Sequence, residues 1–443
     1  MSCFGNNKVF DCPPNAKIIE LLDNEKNWGH DGNTGYHDGT MIVSVYRVQP
    51  GQNLDAITSS LKTRMVQILQ TNSWLMSRCR HVKNPIRLAL VEEERFSKPD
   101  EYIHESVDDN IRSSNVSTIK NSVISHKITY LCNLWDNDDG KLTKFGILSS
   151  ADKTSCAVFF TLNHLLGDGS TLYQVWRQLD ENVPITPLVV ERNHKFCTEK
   201  YVETKTSILP EGIKMDGFAS HYMGVWMGQC IMRGIAQDWK KRPVNCWQMT
   251  LNLDEINRRK QQYKNGSTYV STNDIILAWM RELLPKINHI FIPVNFRNKI
   301  AGIDNNMAGN YFQMPMLYNS DMESPLTVRN WLNRVLNPGY AWKFPTSKEF
   351  KKYLGGVNTS WTTFYHHVEP KGLKHAGHFP VYPEQERMCG ISMGQELDFI
   401  VYKSGKDDQG RENITCCILN RRPEITKEAL LRSPMVKEEL CLN

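Results

Sequence analysis

Apolar and polar positions alternate along this chain in two distinct periods. Residues 41–48 (MIVSVYRV) are rich in β-branched side chains and close on Pro50-Gly51, which predicts a strand. Leu54, Ile57, Leu61, Met65 and Leu69 recur at helical spacing and predict a helix over 54–69. Residues 86–91, 128–135 and 143–148 read as strands, while 92–125 carry no clear period. Residues 157–162 form an apolar run that predicts a buried strand. Ser170 or Thr171 then opens a segment with Leu172, Val175, Trp176 and Leu179 on one helical face.

The later chain repeats this alternation. Residues 246–253 predict a strand, and 254–263 a helix with Asp254 as its N-cap. Ser271 to Asp274 supply capping residues for the apolar helix IILAWMRELL. Further strands are expected at 290–296, 355–364, 397–402 and 414–419, with a helix or helix pair at 427–441. Residues 217–235 are apolar for much of their length, and Gly224 and Gly228 have small-xxx-small spacing. His221, Gln229 and Arg233 make this a poor membrane span. It reads as a core or lid helix, the alternative being a helix at a channel mouth that touches a greasy substrate or a membrane surface. Pro184 and Pro187 lie in a stretch without period. The expected organisation is a first half over 1–185, a crossover over 186–210 and a second half over 211–443.

Composition narrows the class. A chain of 443 residues with 40% apolar and 23% charged residues can bury two cores of ordinary size. The formal charge of +5 is spread without a Lys/Arg run, so a nucleic-acid partner is not expected. No run of about 18 apolar residues is present, and the first residues lack the layout of a secretory signal. The 12 cysteines have neither CxxC pairing nor zinc-ligand spacing. Free thiols in a cytoplasmic monomer without metal are the expectation.

Candidate chemistry concentrates at Asn163-His164-Leu165-Leu166-Gly167-Asp168-Gly169. His164 stands where a buried strand ends, a rigid place from which to present a base. Near pH 7 a neutral imidazole of fixed tautomer can accept a proton. Asp168 follows four residues later across a glycine-flanked turn.

His164-x-x-x-Asp168-Gly169 resembles the HxxxDG motif of the chloramphenicol-acetyltransferase-like acyltransferases, the superfamily that includes the BAHD enzymes and peptide-synthetase condensation domains. Three later stretches resemble that superfamily in its own order. They are Val270 to Asp274 before an apolar helix, Pro293 to Arg297 followed by Gly309-Asn310-Tyr311-Phe312, and Thr359-Ser360-Trp361. Two features depart from named branches. No DFGWG motif follows Trp361, and Asn163 stands in place of the first His of the double-His branches.

The resemblance implies an α/β fold of two similar halves, each a mixed sheet covered by helices, with an active-site tunnel between them. It implies acyl transfer from acyl-CoA to a hydroxyl or amine of a small-molecule acceptor, with His164 as general base. Asp168 would turn away from the substrate and pair with an arginine, for which Arg297 is the candidate. Gly169 and Gly309 would meet backbone requirements near the site. Trp361, Ser360 or Asn310 would supply an oxyanion donor, and Ser271, Thr272, Arg258, Arg259 and Lys260 would contact CoA phosphates. Two other readings stay open: a condensation-type transferase using a carrier-bound donor, and a non-catalytic binding protein of the same fold. His366, His367, His375 and His378 match no metal spacing, and are expected in a polar loop at the tunnel mouth.

Overall fold

The computed structural model describes residues 15–22, 25, 39–83, 87–126, 140–194, 196, 245–264, 269–313, 315–336, 355–381, 395–407, 409–420 and 422–442. The strand expected at 128–135 and the apolar segment 217–235 lie outside these residues.

Two larger sheets organise the molecule. The first has five strands in the order Leu373–Pro380, Thr40–Val48, Ser155–Leu162, Thr143–Ser149, Ile103–Val107. Its middle strand, Ser155–Leu162, is buried at every position, because both faces of the sheet are covered. Its neighbours run antiparallel, and only Ile103–Val107 pairs in parallel, with Thr143–Ser149. Helix Leu54–Thr71 buries Leu54, Leu61, Met65, Ile68 and Leu69 in the core around this sheet. Its N-cap is Asn53, whose Oδ1 accepts from the Asp55 amide at 2.9 Å.

The second sheet has seven strands. Their order is Met316–Tyr318, His289–Phe291, Gly355–Ser360, Gln395–Lys406, Glu412–Asn420, Asn245–Leu251, Val436–Glu439. Helix Thr272–Leu283 lies on it. At Gly356 an added Cβ would stand 2.8 Å from Met280 Cε and 2.0 Å from the Leu397 carbonyl oxygen, so only glycine admits this packing. Apart from a two-strand pair and a three-strand sheet, the described strands belong to these two sheets.

Several local expectations change. The stretch around His375 and His378 is not a polar loop: Leu373–Pro380 is a strand on the edge of the first sheet, paired with Thr40–Val48. Its His, Gly and Pro content hides the strand, and burial against the other sheet residues supplies what apolar alternation normally signals. Residues 427–441 form only a short helix, Lys427–Leu431, followed by strand Val436–Glu439. Pro434 sits between the two and cannot continue a helix. Residues 290–296 split at Pro293 into His289–Phe291 and Val294–Asn295. The helix expected from Asp254 spans Leu253–Gln261 and is capped by Asn252, whose Oδ1 accepts from the Glu255 amide at 3.2 Å. The strand expected at 355–364 stops at Ser360, and Trp361 begins a turn. Within 92–125, the structure forms strand Ile103–Val107 and helix Val116–Ile124.

The buried histidine on the added edge strand has a measurable consequence. His378 is fully buried, its Nδ1 2.9 Å from Ser44 Oγ and its Nε2 2.9 Å from the Tyr173 hydroxyl. Burial, followed by the charge of His367, pushes its pKa down to about 3. The unfolded chain protonates this ring near pH 6.5. The folded chain therefore binds fewer protons between those values, and stability must fall as pH falls through that window. The His378→Gln variant should show a shallower decline of unfolding free energy between about pH 6 and pH 4 than the wild type. Equal slopes in denaturant titrations would remove His378 as the source.

Candidate active site

The central strand Ser155–Leu162 delivers the turn that carries His164. Asn163 is buried, and its Oδ1 accepts from the Leu165 amide at 2.9 Å, which folds the chain sharply at the strand end. From Thr161 to Asp168, His164 is the one residue that is not buried. Its Nε2 lies 3.2 Å from Thr40 Oγ1, and its Nδ1 lies 3.5 Å from Asn310 Oδ1. Thr40 opens the neighbouring strand, so its hydroxyl is aligned by the sheet register that pairs Thr40 with Leu162.

Asp168 faces another way. It is the N-cap of helix Gly169–Trp176, and its Oδ1 accepts from the Thr171 amide at 3.0 Å and the Thr171 hydroxyl at 3.2 Å. Its Oδ2 accepts from Arg297 Nη1 at 2.7 Å. Both carboxylate oxygens are thereby engaged with Thr171 and Arg297. Arg297 has no side-chain exposure and distributes its remaining donors locally. Nε donates to the Met307 carbonyl at 3.0 Å, and Nη2 to the Gly309 carbonyl at 2.7 Å and the Thr171 hydroxyl at 3.1 Å. Its guanidinium also lies over the Tyr311 ring at 5.1 Å. One cation thus ties the helix after the His164 turn to the 307–311 loop.

The loop in turn reaches His164. Asn310 is 1% exposed and donates through Nδ2 to the His164 carbonyl oxygen at 2.6 Å. Its backbone amide and the same Nδ2 donate to Glu25 Oε1 at 2.9 and 3.0 Å. Glu25 Oε2 accepts from Arg192 Nε at 3.1 Å, and both side chains are entirely buried. Glu25, Arg192 and Thr40 have no counterpart in the residues singled out from the sequence, and Thr171 is named there only as a residue that could open the helix. Glu25 and Arg192 fall in stretches without period or motif, and Glu25 lies 285 residues from the asparagine that it holds.

The two glycines act differently. Gly309 has φ of +127°, in the region that favours glycine. Gly169 is needed for contact: an added Cβ would stand 3.1 Å from the indole Nε1 of Trp361. Trp361 therefore packs on the turn that carries His164, with the Tyr173 ring edge-on at 6.1 Å. Its position follows from the parallel strand pair Gly355–Ser360 and Gln395–Lys406, beyond which the Trp361 amide donates to the Val401 carbonyl at 2.7 Å. Ser360 Oγ lies 3.1 Å from Thr362 Oγ1.

The residues expected near CoA phosphates form a separate group. Ser271 is the N-cap of helix Thr272–Leu283 in a capping box with Asp274. Lys260 Nζ donates to Thr272 Oγ1 at 2.8 Å, joining two helices at that point. Arg258 is held by Glu255 at 2.7 and 2.8 Å. Arg259 is held by Glu255 at 2.8 Å and by Glu282 at 2.7 Å.

No family model and no curated protein matches the chain. Solved structures match it in fold. TRI101 of F. sporotrichioides, complexed with coenzyme A and T-2, is 12% identical over 96% of this chain and 100% of that one, with a TM-score of 0.56. Vinorine synthase is 10% identical over 99% of this chain and 97% of its own, with a TM-score of 0.54. The first condensation domain of the calcium-dependent antibiotic synthetase, in complex with a substrate analogue, is 9% identical over 93% and 92%, with a TM-score of 0.51. A mixed α/β chain matched over nearly its whole length therefore has the two-domain, chloramphenicol-acetyltransferase-like fold of these proteins.

Proposed function

We propose that this chain is an acyl-CoA-dependent acyltransferase that acylates a hydroxyl or amine of a small-molecule acceptor, with His164 as general base. The observation that carries this reading is the placement of the imidazole. It is the one partly open side chain in a buried turn, and Asp168, the nearby acid, is committed to Arg297 and Thr171. A base needs access to the acceptor, while its support needs to be fixed, and this arrangement separates the two requirements.

The reaction uses one base. His164 takes the proton of the acceptor hydroxyl or amine as its lone pair attacks the thioester carbonyl. The tetrahedral intermediate collapses by breaking the carbon–sulfur bond, and the departing thiolate takes the proton from the imidazolium. No acyl-enzyme is required, because a thioester is already activated. The negative oxygen of the intermediate requires a fixed donor. The Asn310 amide nitrogen is already shared between Glu25 and the His164 carbonyl, so we assign this role to Trp361 and Ser360. For the CoA phosphates, Lys260 with Ser271 and Thr272 fits better than Arg258 and Arg259, which are neutralised by Glu255 and Glu282. A carrier-bound donor is the second reading, supported by the likeness to a condensation domain and opposed by Asn163 at the place of the first His.

Radiolabelled acetyl- and longer acyl-CoAs incubated with the protein and an alcohol and amine panel should release free CoA thiol and labelled product. Tight CoA binding without turnover across the panel would instead indicate a binding protein. The His164→Ala variant should keep its fold and lose about 10²–10⁴-fold in kcat. Asp168→Ala should lose about 3–5 kcal/mol of stability, because it leaves a buried guanidinium unpaired. Equal loss of folded protein in the two variants, measured by denaturant titration, would refute this division of roles.

A further inference from the structure

We propose that Glu25 is a positioning residue for His164: the buried Glu25–Arg192 pair orients the Asn310 amide and thereby holds the imidazole as the Nδ1–H tautomer, with Nε2 as the basic nitrogen.

The argument is one of donors and acceptors. A carboxylate and a peptide carbonyl only accept hydrogen bonds. The Asn310 side-chain atom that lies 3.0 Å from Glu25 Oε1 and 2.6 Å from the His164 carbonyl must therefore be the NH2 group. Both of its hydrogens are then used. The amide oxygen is left facing His164 Nδ1 at 3.5 Å, and an amide oxygen only accepts. That contact favours the ring with a proton on Nδ1, so the lone pair is on Nε2. Nε2 in turn faces the Thr40 hydroxyl, which can donate to it at 3.2 Å. After proton transfer both ring nitrogens carry hydrogen, and Asn310 Oδ1 still accepts from Nδ1.

Glu25 is itself held on its other side. Oε2 accepts from the Leu22 amide at 2.8 Å and from Arg192 Nε at 3.1 Å. Arg192 then donates to the Ala308 carbonyl at 2.8 Å and the Leu166 carbonyl at 3.1 Å, on either side of the Asn310–His164 contact. Space for this guanidinium depends on Gly309, where an added Cβ would stand 2.9 Å from Arg192 Nε. The pair therefore fixes the His164 turn and the Asn310 loop in one geometry. A wrong tautomer or a ring displaced by about 1 Å is costly to a general base.

The rate readout rests on the proposed acyl transfer, whereas the tautomer readout does not. In water the Nε2–H form of a histidine side chain is the more populated, so the two outcomes are distinct. The full chain labelled with 15N-histidine is to be examined by two-bond 1H–15N correlation above the histidine titration range, with His164→Ala identifying the His164 signals by their loss. The wild type should show a protonated Nδ1 and an unprotonated Nε2. Glu25→Gln places an NH2 group against either Arg192 and Leu22 or the Asn310 donors, and should shift His164 toward the Nε2–H form. With an acyl acceptor, kcat should fall about 10–100-fold with the KM for acyl-CoA unchanged. Asn310→Ala leaves the Glu25–Arg192 pair intact and should shift the tautomer in the same way, which decides the matter if Glu25→Gln does not fold. A wild-type ring in the Nε2–H form, or an unchanged tautomer in folded Glu25→Gln or in Asn310→Ala, would overturn the proposal. A tautomer shift in a protein that transfers no acyl group would leave the relay standing and remove the functional reading instead.

Discussion

A buried guanidinium, that of Arg297, ties the helix after the His164 turn to the 307–311 loop. Arg297 meets Asp168 across 129 positions of sequence at 2.7 Å, and the same side chain holds the carbonyls of Met307 and Gly309. Burying an ion pair is costly unless the remaining donors are satisfied. Here Thr171 and two carbonyls satisfy them. The helix that follows the His164 turn and the loop that carries Asn310 are consequently fixed to one another. Everything placed around the imidazole inherits that geometry.

A second buried pair works beside the first. Arg297 secures the helix end of the turn, and Arg192 secures Leu166 within it. The two guanidiniums meet the backbone of the same 307–309 stretch, at Met307 and Gly309 for one and Ala308 for the other. A loop of this length would otherwise carry unpaired carbonyls in a dry interior, each costly to leave unsatisfied. Charge is concentrated at the backbone that must not move, while His164 keeps an open face.

Legibility followed the range of the interaction. Strand Ser155–Leu162 and helix Leu54–Thr71 are readable because burial imposes a period within a few residues of sequence. The Ser271 cap is readable because its partner Asp274 is three residues away. Strand Leu373–Pro380 is not readable, since its edge position is decided by pairing with residues more than 300 positions earlier, and its histidines pass for loop residues. Arg297 is reachable only through the order of resembling motifs. Glu25 is reachable by neither route: it is an acid in a stretch of sequence without hydrophobic period, and it meets Arg192 and Asn310 only in the folded chain.

By itself the sequence determined the alternation of strands and helices, the strand end that presents His164, and the candidate base with its nearby acid. These rest on local periodicity and on residue types at short spacing, which a linear chain carries openly. The tertiary structure decided which arginine faces Asp168, where the Asn310 amide is spent, and that a late strand completes the first sheet. Those outcomes depend on desolvation and on donor–acceptor matching between groups that meet only after the chain has packed.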